Sequence, residues 1–76
     1  MKFEQYDVVR LKGLHMQVRD HADEFNLRLP VAGDVATIVE VYSKPPGYVL
    51  ECSDRTGITQ WLIAFGPDDV ELELVE

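Results

Sequence analysis

Apolar and polar residues alternate along most of this chain with the period of two that a half-buried strand requires. Val9 and Leu11 share one face of Gln5 to Leu11, which predicts a first strand ended by Lys12 and Gly13, where glycine permits a sharp change of direction. Asp34 to Tyr42 carries Val35, Ile38, Val39 and Val41, and the step from Ile38 to Val41 breaks the strict period, predicting a bend or bulge. Tyr48, Leu50 and Cys52 then fall on one face of a returning strand, with Val49 and Glu51 on the other. Trp61, Ile63 and Phe65 alternate within Ile58 to Phe65, and Val70, Leu72 and Leu74 alternate with Glu71 and Glu73. The pattern therefore predicts five strands.

The breakers between these runs are turn-formers. PVAGD at Pro30 to Asp34 places a proline that blocks ladder pairing beside a glycine suited to a turn. SKPPG at Ser43 to Gly47 removes two backbone donors and ends on a glycine that tolerates a positive φ. DRTG at Asp54 to Gly57 predicts a tight turn, and GPDD at Gly66 to Asp69 leaves room for one 3-10 turn at most. Leu14 to Pro30 is less regular. Met16 and Val18 alternate with polar neighbours, as do Phe25, Leu27 and Leu29, around the polar group Arg19 to Glu24. Two short strand arms and a turn fit this better than a helix, because the apolar positions do not persist at spacings of three and four. The prediction is an all-β, single-domain chain over residues 1–76. It is a small five-stranded barrel with a long first loop, a possible extra hairpin in that loop, and one 3-10 turn before the last strand.

This order of elements resembles that of SH3-like barrels. YDVVRL followed by GDVATIVEV is similar to the opening of KOW-type members of that fold. The combination of QYDVVRL, LP then GDVATIVEVY, PPGYVLECSD, Gly57 to Thr59 and the closing DDVELE resembles the bacterial domain-of-unknown-function family numbered four-nine-two-six. The resemblance covers most of the chain except Leu14 to Leu29, which is longer here than the corresponding loop of the family. The family has no established activity. Its resemblance implies a compact bacterial protein and, since such genes sometimes stand beside toxin-like ones, a partner-binding or antitoxin-like role. Two functional types of SH3-like barrel are not supported. The aromatic first-strand motif of proline-peptide binders is absent, with Trp61 inside the fourth strand, and the basic loops of RNA-binding KOW domains are replaced by acidic ones.

Charge narrows the partners. Fourteen acidic against seven basic side chains give a formal net charge of -7, which repels phosphate backbones and anionic membranes and suits a basic protein. The expectation is no nucleic acid and no membrane. The polar start MKFEQYDVV does not read as a signal peptide, and no run approaches the roughly 18 apolar residues of a membrane span. A lone cysteine, Cys52, fits a reducing compartment, and the protein is expected to be cytoplasmic.

Candidate chemistry is sparse. His15, His21, Asp23 and Glu24 match no metal-ligand spacing and read as a solvated turn. Cys52 lies between Glu51 and Asp54, carboxylates that raise a thiol pKa, so it reads as a small core residue and not a nucleophile. Asp68 and Asp69 read as turn residues. No phosphate-binding loop, dinucleotide fingerprint or nucleophile elbow is present, so a non-enzyme without a cofactor is expected. The remaining signal is apolar. Tyr6, Tyr42, Tyr48 and Trp61 exceed what so small a barrel can bury, and Met16, Val18, Phe25 and Leu27 sit on a loop with little core beneath it. The candidate interaction surface is therefore Met16, Val18, Phe25, Leu27, Tyr42, Tyr48 and Trp61. It suits a protein-interaction module that self-associates as a homo-oligomer, or else an accessory, antitoxin-like subunit of a neighbouring enzyme or toxin.

Overall fold

A computed structural model describes residues 3–15 and 26–75 of the chain. It has five strands: β1 (Val8–Leu14), β2 (Val35–Ser43), β3 (Pro46–Ser53), β4 (Thr59–Phe65) and β5 (Val70–Leu74). They form one antiparallel sheet in the order β4-β3-β2-β1-β5. Val70 from one margin of that sheet and Trp61, Ile63 and Phe65 from the other belong to a single buried cluster with Val9, Leu11, Ala36, Ile38, Tyr48, Leu50 and Cys52. A flat sheet cannot bring its two margins into one core, so the sheet curls into a small barrel-like body. Among the described residues no helix is long and apolar enough to cross a membrane.

The curl has a local cause in β2. Its first residues pair with β1, Val8 opposite Thr37 and Arg10 opposite Val35, and Thr37 to Ser43 pair with β3. Between Ile38 and Glu40 the register with β3 shifts by one residue. A bulge of this kind bends and further twists its strand, and here it lets β2 leave β1 and follow β3 outward. The broken period between Ile38 and Val41 is the sequence trace of that bulge.

Three boundaries differ from expectation. The first strand begins at Val8 and not Gln5, because residues 4–7 form a turn in which the Asp7 amide donates to the Glu4 carbonyl and the Glu4 amide to Asp7 Oδ2. Tyr6 takes φ 73° in that turn and donates its amide to the Ile38 carbonyl. The same strand runs through Gly13 to Leu14, since the register shift between Leu11 and Gly13 absorbs the irregularity that was expected to end it. The turn expected over Ser43 to Gly47 is tighter, with Ser43 already opposite Pro46 and Tyr42 opposite Gly47, and the Lys44-Pro45 peptide is cis.

Gly47 is therefore a strand residue, and its glycine serves space and not a positive φ. A Cβ built on it would lie 2.7 Å from the Phe65 carbonyl oxygen, a backbone atom with little freedom to retreat. Positive φ is instead found at Gly33 (99°) and Gly57 (91°), in the turns that open β2 and join β3 to β4. Gly66 to Asp69 closes as one hydrogen-bonded turn, Asp69 N–H to Gly66 carbonyl, with Asp69 Oδ2 accepting from the Gly66 amide. In the first loop, the arm carrying Met16 and Val18, together with Phe25, lies outside the described residues. Residues 26–34 contain no strand, so Leu27 and Leu29 do not form the second arm of a hairpin there.

Replacing Gly47 with alanine is expected to cost about 1–3 kcal/mol, the usual range for overpacking against an unyielding neighbour. Urea unfolding followed by the emission of Trp61, the single tryptophan, measures it directly; an unchanged midpoint would mean that β3 and β4 are not this close.

Candidate functional site

Two assemblies stand out from the frame, one polar and partly buried, the other apolar and open. The polar one is centred on Asp34, at the end of the VAGD turn, where the Asp34 amide donates to the Val31 carbonyl at 3.1 Å. Its Oδ2 accepts from the Val31 amide (3.0 Å), the Trp61 indole Nε1 (3.1 Å) and Arg28 Nη1 (2.9 Å), while Oδ1 accepts from Arg28 Nη2 (2.9 Å). The bidentate Arg28 contact is the strong form of a carboxylate pair. The Asp34 side chain is only 11% exposed, against 39% for Arg28. Burial pushes the Asp34 carboxyl up, but the hydrogen bonds from Arg28, Val31 and Trp61 and the guanidinium charge outweigh it and hold the group below its ordinary value. The hydrogen bond to Asp34 likewise raises Arg28.

Cys52 lies against this group, with Arg28 Nη2 3.6 Å from its Sγ. Burial pushes the thiol pKa up, and the charge of Asp34 adds to it against Arg28. The carboxylate beside the thiol is thus Asp34 from another element, not the sequence neighbour Asp54. Asp54 is occupied in its own turn, where Oδ1 accepts from the Thr56 amide and hydroxyl and from the Ile58 amide. His15 Nε2 lies 2.6 Å from Glu71 Oε2, an exposed pair. Among the described residues no group of three His, Cys, Asp or Glu side chains is placed to hold a metal ion.

The apolar assembly is a groove of about 450 Å³ at the end of the barrel where β2 turns into β3 and β4 ends. Tyr42, Pro45, Pro46, Ala64 and Phe65 form most of its wall, with Lys44 on the rim. It continues along the outer face of the sheet. Tyr48 and Leu50 point inward, so Val49 between them points out, and its strand partners are Glu40 on β2 and Ala64 on β4. One step further along, Glu51 stands beside Leu62, which is half exposed. This face thus carries an apolar strip, Ala64, Val49 and Leu62, bordered by two carboxylates.

Among the described residues of the predicted surface, Tyr42 alone lines the groove, at 43% exposure. Trp61 and Tyr48 are corrected. They are 0% and 4% exposed, because both point into the barrel, where the Trp61 ring meets Phe65 edge-on (centroids 6.0 Å apart) and Tyr48 meets Phe3 (5.9 Å). A single tryptophan at the centre of an inward row is core, not interface. Leu27 is 65% exposed and lies beside the outer edge of β4, where its amide donates to the Gln60 carbonyl and Asn26 Oδ1 accepts from the Leu62 amide. Met16, Val18 and Phe25 lie outside the described residues. Sequence reasoning missed Pro45, Pro46 and Ala64 as groove residues because two of them look like turn punctuation and the third is too small to stand out. It also missed Asp34 as a hub, since its partners are six and 27 positions away.

No protein-family model, curated protein or solved structure matches this chain. Its function is therefore argued from its own residues.

Because the folded-state pKa of Asp34 is depressed, the stability it contributes is fully present above the unfolded-chain value of about 3.9 and is lost as pH falls through the lower folded value. Asp34→Ala is expected to cost about 1–3 kcal/mol at neutral pH, the lower range for a broken buried pair because Arg28 is partly solvated. The variant should also lose part of the parent's acid sensitivity. Unfolding free energies at pH 7 and pH 3 for both proteins test this, and equal losses on acidification would remove Asp34 from the account.

Proposed function

We propose that this chain is a non-catalytic protein-interaction module whose docking face is the groove between the β2–β3 turn and the end of β4. The observation that carries this reading is the exposed Tyr42 ring set beside Pro45, Pro46 and Ala64 in a concave apolar surface. Scattered exposed apolar residues are normal on any protein. A concave group containing an aromatic, on rigid strand ends, is the composition of a contact surface. Prolines at the turn fix the backbone that shapes it.

Charge favours a different polypeptide over a second copy. Two chains of this kind each bring a formal charge of -7 to the contact, whereas a basic partner gains by it. This supports the accessory-subunit form of the proposal over the self-associating form, and it leaves nucleic acid and anionic membrane surfaces outside the proposal. A cytoplasmic setting and the likeness to the domain-of-unknown-function family belong to the same reading.

Photo-crosslinking tests the docking face. A benzoylphenylalanine is placed at Tyr42, Ala64 or Arg55 in cells that make the protein. Arg55 lies in the β3–β4 turn, at the opposite end of β3 from the groove, and is the control. Protein adducts from positions 42 and 64 and none from 55 are expected, at a mass other than twice that of the chain. Adducts from all three, or from 55 alone, would remove the groove as the docking face, and adducts of doubled mass would replace the partner by a second copy.

A further inference from the structure

The groove has a charged neighbour that the apolar contact does not use. After the bulge in β2, Glu40 and Tyr42 both point to the outer face, since Glu40 stands opposite Val49, which lies between the inward-facing Tyr48 and Leu50, and Tyr42 follows Glu40 by two residues on the same strand. Two residues along a strand place them about 7 Å apart. Glu40 is exposed, and its carboxylate makes no hydrogen bond or ion pair among the described residues. Most other acidic groups near basic ones are already engaged: Glu73 with Arg10 and Lys12, Glu71 with His15, and Asp34 with Arg28. The outer face thus presents a carboxylate with no partner among the described residues, then an exposed aromatic ring, then an apolar hollow, in line along one strand.

We infer that this line takes an extended segment of a partner protein in which an arginine stands two residues from an aliphatic side chain. The inference rests on the groove being the docking face. A guanidinium suits both of the first two elements better than an ammonium does, because its planar fork pairs bidentately with a carboxylate and its plane stacks on an aromatic face, whereas an ammonium is a point charge. In an extended segment, side chains two residues apart repeat at the same spacing of about 7 Å, so an arginine over Glu40 and Tyr42 delivers its neighbour on that side to the groove. The groove volume of about 450 Å³ lies within the usual range for sites that enclose side chains or small ligands. Lys44, a lining residue of the groove in the β2–β3 turn, gives the line a polarity. It repels a reversed segment that would bring arginine to the turn, so like charge sets direction as well as identity. The formal charge of -7 adds a general attraction for basic segments, which is why the test must separate Glu40 from the field of the whole chain.

The test is an amide-resolved NMR titration with short capped peptides that are identical except at one central position, arginine, glutamine or glutamate, with a leucine two residues to either side of it. The arginine peptide is expected to shift the amides of Tyr42, Gly47 and Ala64 and to bind about three- to tenfold more tightly than the glutamine peptide. Glu40→Gln, a surface change that leaves the core untouched, is expected to erase that preference while leaving the leucine-driven shifts in place. Raising the salt from about 0.01 M to about 1 M, where the Debye length falls from about 30 Å to about 3 Å, should weaken the arginine peptide alone. Equal binding of the arginine and glutamine peptides would overturn the inference and leave the groove reading intact. A preference that survives Glu40→Gln would assign it to the overall charge and overturn it as well. Peptides that shift no groove amide would overturn it too, and the crosslinks from Tyr42 would then decide the docking face separately.

Discussion

The four hydrogen bonds converging on Asp34 are the constraint on which the long first loop, the entry to β2 and the position of the largest core side chain all depend. The chain must return from β1 to β2 by a loop of some twenty residues, and closing such a loop has an entropic cost that grows slowly with its length. Asp34 offsets that cost at the point of return. It closes the VAGD turn on itself, grips Arg28 from the incoming segment, and anchors the Trp61 indole on β4. The turn is also fastened to β1, with the Gly33 amide on the Leu11 carbonyl and the Leu11 amide on the Asp34 carbonyl. Loop, β1, β2 and β4 therefore meet at one residue. Its carboxylate is mostly desolvated, a cost that only the full set of donors overcomes.

This hub also explains why Trp61 belongs to the core although an indole carries a polar N–H. Burying that donor without a partner would be costly, and the acceptor comes from a segment 27 residues earlier in the chain. The alternation of Trp61, Ile63 and Phe65 placed the side chain on a face, but nothing local said whether its N–H would find an acceptor inside. Strand existence and the β2 bulge were legible because period and turn chemistry are local properties. Tyr48 and Trp61 were misassigned to the surface because burial was judged from the number of aromatics against the size of the barrel. The barrel accommodates both by packing Phe3 and Phe65 edge-on against them. Gly47 shows the same limit. Its need for a missing Cβ comes from the Phe65 carbonyl on another strand, which no reading of SKPPG alone could supply.

The two margins of the sheet are managed differently, and that leaves the outer face of β2 to β4 as the open surface. A free strand edge invites pairing with other chains. Along β4, Leu27 and Asn26 occupy the Gln60 carbonyl and the Leu62 amide, so the returning loop shields part of that edge. Along β5 the acidic Glu71 and Glu73 reach across to His15, just after β1, and to Arg10 and Lys12 on β1. These pairs are exposed and add little stability. Their consequence is that the basic groups of β1 are neutralised by β5, which leaves the acidic character of the chain to be expressed elsewhere, Glu40 and Glu51 included.

A small barrel cannot hide all its apolar side chains, so exposure alone does not separate a contact surface from surplus. Val31, Ile58 and Leu74 are as exposed as Tyr42 or more so, yet they lie in turns or at the sheet margin and do not line the groove. What distinguishes Tyr42 is the company fixed around it: two prolines that hold the turn, a glycine that lets β3 approach β4, and Ala64, whose small side chain leaves the hollow open. Each is a residue chosen for what it lacks, whether a donor, a Cβ or bulk. An ordinary side chain at any of these positions would fill the groove or loosen its wall, and the same surface would then be no more than a ragged barrel end.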